Sequence, residues 1–258
     1  MRNVLTIAGR ELRSIFASPI AYVVLTGFLL LGGWFFFNLL ARFNLLVSMY
    51  SNFQGNAEAA QRLNVNEFVL GPLLHNLSVV LIILIPMITM RSFAEEKRAG
   101  TYELLLTSPV SIWEIVLGKF LGAGGFVTVM VALTLIYGAI LAAYGNPEVG
   151  IMASGYLGLW LLALSFVAIG LFASSLTENQ IIAAVTGLVL MMLFFVVGWA
   201  ADTAGEPLGG ILRYLSITDH SSDLIRGVVD TKTLIYFASM IVGWMFLTQR
   251  SVESIRWR

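Results

Sequence analysis

Apolar and polar positions fall in long alternating blocks along this chain. Six apolar stretches approach or exceed the ~20 residues that a helix needs to cross a hydrocarbon core. They lie at about 20–41, 73–90, 120–144, 155–175, 181–201 and 232–248. The last is the least uniform and borrows Thr231, Thr233 and Thr248 at its ends. Pro86 inside the second stretch predicts a kink, because it removes an intrahelical donor. The third opens with Gly122, Ala123, Gly124 and Gly125, which allow close helix approach. Ahead of the first stretch, Val4, Leu5, Ile7, Ala8, Leu12, Ile15 and Phe16 recur at near-helical spacing among Arg and Glu. That spacing predicts an interfacial helix over 1–18, lying on the inner membrane surface.

The polar intervals carry most of the local signals. Residues 91–119 form a charged island between the second and third stretches. Glu95, Glu96, Lys97 and Arg98 are a mixed-sign cluster, either a solvated stop or ion-paired to the N-terminal helix or a partner. Gly100 breaks the stalk, Thr101 can cap a new helix, and Glu103 suits its first turn. Leu104, Leu105 and Leu106 follow, and Pro109 ends the run. A helix this short is marginal in water, and consecutive leucines call for a covering surface. Ser111 and Glu114 have capping-box spacing and start the helix into the third stretch. Thr177 and Gln180 repeat that spacing before the fifth. Residues 42–72 read as a polar external segment, and 202–231 as an external amphipathic segment with two short helices. One transmembrane domain over 1–258 is expected, all-α, with six transmembrane helices and no soluble domain.

Composition sharpens this picture. The 258 residues are 58% apolar with a mean hydropathy of +0.87, and 12% are charged, about half the usual share in soluble domains. Net charge is zero, so no global basic surface invites nucleic acid. Cys is absent, which excludes disulfides, thiolate metal sites and Cys nucleophiles. With only His75 and His220, a His-based metal site is not expected. Of the 15 Lys and Arg residues, ten sit in the termini and in even-numbered turns: Arg2, Arg10, Arg13, Arg91, Lys97, Arg98, Lys119, Arg250, Arg256 and Arg258. The bias orients both termini and the island inward.

No G-x-x-x-x-G-K-[ST] occurs, so this chain has no P-loop for ATP. No Asp, Glu, Lys or Arg interrupts the interiors of the six stretches, which disfavours an ion-driven carrier and an intramembrane enzyme. Asn38, Asn76, Ser78, Thr89, Thr128, Thr134, Ser165 and Thr186 read as interhelical hydrogen-bonding groups. Energy must then come from another chain.

The run Met90 to Arg98 (MRSFAEEKR), with Gly100-Thr101, Glu103-Leu104-Leu105-Leu106, Pro109-Val110 and Gly118-Lys119, resembles the signature of ABC-2 type transporter permeases. More narrowly it is similar to the GldF-like, gliding-motility-associated branch. Asn66-Glu67-Phe68, Pro72-Leu73, Tyr214-Leu215-Ser216, His220, Arg226 to Asp230 and the tail Arg256-Trp257-Arg258 fit that branch too. The resemblance implies a six-span permease of the bacterial inner membrane, N-in and C-in, with no ATPase site of its own. It implies a cytoplasmic coupling helix at 100–109, seated in one of two ABC ATPase subunits that bind ATP and Mg. Glu95, Glu96, Lys97, Arg98, Gly100, Thr101, Glu103, Leu104, Leu105, Leu106 and Pro109 would make that contact. A second permease is implied, an identical chain or a GldG-like subunit, with membrane lipids around both. Export of a lipid-like or amphipathic substrate is the expected function. The alternative is a non-transporting subunit that passes ATPase motion to an envelope assembly.

Overall fold

The computed structural model describes residues 2–53, 64–101, 110–145, 147–203, 205 and 207–255. The protein is all-helical, and among the described residues six helices are long and apolar enough to cross a membrane. Helix α1 (Arg2–Ala17) precedes α2 (Pro19–Phe53). A π-helical turn (Asn66–Leu70) leads into α3 (Gly71–Thr89), and the short stalk α4 (Arg91–Arg98) continues it. Helices α5 (Ile112–Tyr144), α6 (Val149–Leu176) and α7 (Gln180–Thr203) follow. Two short helices, α8 (Leu208–Leu215) and α9 (Ile217–Ile225), lead to α10 (Thr231–Ile255).

Several helices outrun the apolar blocks that predict them. At 1.5 Å per residue, α2 and α5 are each roughly 50 Å long, against a hydrocarbon core of about 30 Å. Helix α2 runs on through Leu45, Leu46, Val47 and Met49, so its first twelve residues past Ala41 are helix rather than irregular external segment. Polarity rises there while helix-forming residues continue, and hydropathy alone misplaces the end.

Helix α6 is the axis of the bundle. Leu159, Leu162, Ala163, Phe166, Val167, Ala168 and Ile169 are all fully buried along it. It packs against α3, α5, α7, α9 and α10. Small side chains make the tight crossings possible. A Cβ on Gly170 would sit 2.2 Å from Thr89 Oγ1, and one on Gly158 2.8 Å from Leu224 Cβ.

The intramembrane polar residues behave differently from expectation. Asn38, Ser78, Thr89, Thr128, Thr134 and Ser165 donate to backbone carbonyls three or four residues back in their own helices. A hydroxyl or amide in hydrocarbon needs a partner, and the nearest free lone pair is on the preceding turn. Of these, Thr128 also joins two helices, accepting from Trp160 Nε1 at 2.9 Å. Tyrosines supply two bonds between spans, Tyr137 to Leu29 O and Tyr156 to Thr134 O.

Candidate functional site

The charged island begins where α3 ends. Helix α3 ends at Thr89, and the chain turns at Met90 before restarting as α4. The Ser174 hydroxyl bridges this break, donating to Met90 O at 3.0 Å. It accepts from Phe93 N at 3.0 Å and Ala94 N at 3.2 Å. One side chain at the end of α6 thereby satisfies three backbone groups that the turn leaves open.

The stalk ends as the sequence predicts. Gly100 adopts φ +67°, the left-handed conformation that glycine reaches without strain. Its N–H bonds Lys97 O, and Thr101 N–H reaches back to Glu96 O, the paired bonds of a Schellman stop. Glu103, Leu104, Leu105, Leu106 and Pro109 lie outside the described residues. The chain resumes at Val110, and Ser111 and Glu114 form the reciprocal capping box that opens α5. At the 177–180 turn the cap is different from the one expected. Asn179 Oδ1 accepts from Ile181 N, and Thr177 Oγ1 accepts from Asn179 N.

Of the four charged stalk residues, Glu96 is the most engaged. Its Oε1 accepts from Lys119 Nζ at 2.9 Å and from Arg10 at 3.2 Å. The Lys119 side chain is 1% exposed, and its ammonium also meets Ser92 O at 2.5 Å and Glu11 Oε2 at 3.5 Å. It stands 5.0 Å over the Phe93 ring. Two cations and two carboxylates thus join three elements: α1, the stalk and the base of α5. Of the two alternatives for the charged cluster, Glu96 takes ion pairing with the N-terminal helix. Lys97 donates to Ser175 O, which also accepts from Ser251 on α10 at 3.2 Å. Glu95 pairs with Arg91 at 3.6 Å within the stalk, and Arg98 is exposed.

Helix α1 is seated by glycine. A Cβ on Gly118 would meet Ile7 Cγ2 at 2.6 Å, and one on Gly122 would meet Glu11 Cβ at 2.6 Å. Farther along, Leu12 lies against Gly125, and Phe16 meets Phe126 edge to face at 5.2 Å. Asn3 donates to Glu114 at the near end. Rising numbers match rising numbers, so α1 runs parallel to the first four turns of α5. At the start of the third span Gly122 and Gly125 therefore receive the N-terminal helix, while Gly124 faces Leu164 of α6. The sequence shows the small residues and the amphipathic helix but not that they fit each other. In the sequence Lys119 stands out as an orienting charge and as part of a motif, not as the buried centre of a cluster. A lysine two turns inside a largely apolar helix, with glutamates on two other amphipathic segments, is the available signal.

A profile of the ABC-2 family of transporter proteins matches residues 5–247. The chain belongs to the ABC-2 family of transporter proteins. It is 33% identical over 143 residues to proteins of Escherichia coli K12 and O157:H7, each named "Probable multidrug ABC transporter permease YbhR". The match covers 55% of this chain and 38% of those relatives' length. Membership accounts for the helix inventory and for the motif-bearing island between α3 and α5.

Proposed function

We propose that this ABC-2 chain is the permease subunit of an ATP-driven exporter. A separate pair of ABC ATPase subunits binds ATP and Mg, and the 100–109 segment seats in an ATPase cleft as a coupling helix. Both termini and the island face the cytoplasm, in a bacterial inner membrane. Two permeases complete the complex, the second an identical chain or a GldG-like subunit. The cargo is lipid-like or amphipathic, in keeping with the uncharged spans and with the multidrug permease name of the relatives.

One observation carries this reading. The stalk that leads into the charged island is mounted on the helix bundle through buried polar bonds. Ser174 bolts the stalk to α6, Lys97 ties it toward α10, and Glu96 ties it to α1 and α5. A push on the island's tip is therefore delivered to four helices at once. That is what an ATPase stroke requires.

Changing Leu104 and Leu105 together to Asp tests the contact. Insertion in the membrane should persist while the ATPase no longer co-purifies, because the docking face loses its apolar side chains. An undiminished yield of co-purified ATPase would refute the coupling role. Vesicles holding the full complex should then move a labelled amphiphile when ATP is supplied. ATP turnover without such movement would favour the mechanical-transmitter alternative.

A further inference from the structure

At the end of the bundle opposite the island, a pocket of about 620 Å³ opens between the π-helical turn, the start of α3, the start of α6 and α9. Its polar lining includes Asn66, Glu67, His75, Ser222 and Arg226, and its apolar wall includes Ile151 and Ile225. The function proposed above uses none of them.

Three features of this pocket are unusual together. First, π-helical turns are rare and occur mostly where a helix serves a site. This one carries Asn66 and Glu67. Second, Asn66 is 3% exposed, and its Oδ1 is buried without a hydrogen-bond partner. The amide orientation is determined, because Nδ2 donates to Glu148 O, which can only accept. The unsatisfied atom is therefore an acceptor, and it lacks a donor. Third, Glu67 and Arg226 are exposed at the same pocket, and among the described residues neither forms an ion pair. Opposite charges in one pocket that do not neutralise each other leave a place for a ligand of both signs.

We propose that this pocket binds a phosphoethanolamine-type headgroup, a phosphate diester linked to a primary ammonium. Arg226 and Ser222 take the phosphate, since a guanidinium matches phosphate oxygens in charge and geometry. The ammonium supplies N–H donors to Asn66 Oδ1 and Glu67. A plain anion would leave both acceptors facing negative charge, and a plain cation would face Arg226. A choline headgroup carries the right charges but has no N–H to donate. The source is a membrane lipid and not a free headgroup, because Ile151 and Ile225 offer an apolar wall to the adjoining glycerol and acyl chains. The assignment to the outer leaflet rests on the orientation proposed above; the headgroup chemistry does not.

The test uses the purified full-length chain without its ATPase, so it is independent of the coupling reading. Mixed micelles containing equal phosphatidylethanolamine, phosphatidylcholine and phosphatidylglycerol are added, and bound lipid is counted by native mass measurement. Phosphatidylethanolamine should be retained about tenfold over each of the others, the scale of one charge-assisted hydrogen bond. Arg226→Gln should reduce its retention by about tenfold, and Glu67→Gln should bring it toward the phosphatidylcholine level. Both side chains are exposed and form no ion pair among the described residues, so these variants should fold. Equal retention of the three lipids, or undiminished phosphatidylethanolamine retention in Arg226→Gln, would overturn the proposal. Glycerophosphoethanolamine binding as tightly as the lipid would overturn the lipid source.

Discussion

At the scale of single residues, burial decides which charges matter around the stalk. Lys119 is almost wholly enclosed, Glu96 is one-fifth exposed, and the Arg10 side chain is 59% exposed. Removing one partner of a buried pair leaves the other desolvated and costs about 3 kcal/mol or more. An exposed pair contributes roughly 1 kcal/mol or less. Glu96→Gln keeps the shape but leaves Lys119 with Ser92 O and, of the carboxylates, only the longer contact to Glu11, so it should destabilise by about 3 kcal/mol. Lys119→Met should cost slightly less, because Arg10 still pairs with Glu96 and both carboxylate side chains are partly exposed. Arg10→Ala should be nearly silent. Thermal unfolding in detergent should therefore rank Glu96→Gln and Lys119→Met well below Arg10→Ala, which stays near the parent protein. Equal melting temperatures for all three would mean that the cluster is a surface network after all.

At the scale of elements, the glycine seat under α1 makes a separate prediction. Gly122→Ala places a methyl 2.6 Å from Glu11 Cβ and 3.0 Å from Ala8 O, so α1 must move away from α5. That shift also lengthens the Glu11–Lys119 contact. Gly9, on the same helix, has nothing within 4 Å, and alanine there should favour the helix by up to about 1 kcal/mol. Trypsin cleavage at Arg10 and Arg13 reports on α1 directly. Gly122→Ala should be cut faster than the parent chain and Gly9→Ala no faster; slow cutting of both would mean that α1 stays seated without glycine. This contact also shows what a sequence can convey. The Ser111–Glu114 box and the Gly100 stop are legible because each is complete within a few residues. The α1–α5 fit, the Ser174 bridge and the Lys119–Glu96 pair join positions 23 to 111 residues apart. Hydropathy gives each helix a length but no partner. It also hides the extra turns of α2, where residues are less apolar but still helix-forming. The pocket opposite the island depends on four separate segments meeting; Asn66, Glu67, His75 and Arg226 each stand out in the sequence, but not that they line one cavity.

At the scale of the whole molecule, the packing of α6 constrains any route for cargo. A path down the middle of one chain would run along this helix, yet its core residues from Leu159 to Ile169 are fully buried against their neighbours. Interiors of this kind have native packing density and do not open without losing dispersion contacts on every side. By contrast, α2, α7 and α10 each turn most of their most apolar stretch outward. A path used in export must therefore run along an outward face and be closed by a second membrane chain. The proposal of two permeases follows from this filled axis as well as from the family. The mass of the complex extracted in mild detergent should contain two permease chains for two ATPase chains, whether the permeases are identical or not. Small-to-large changes on the axis, such as Ala163→Leu, should lower stability by about 1–3 kcal/mol through overpacking without altering which amphiphile is moved. A complex with a single permease and no other membrane chain would leave no enclosed route. The export function would then fail, and the island with its buried mount would remain as a transmitter of force alone.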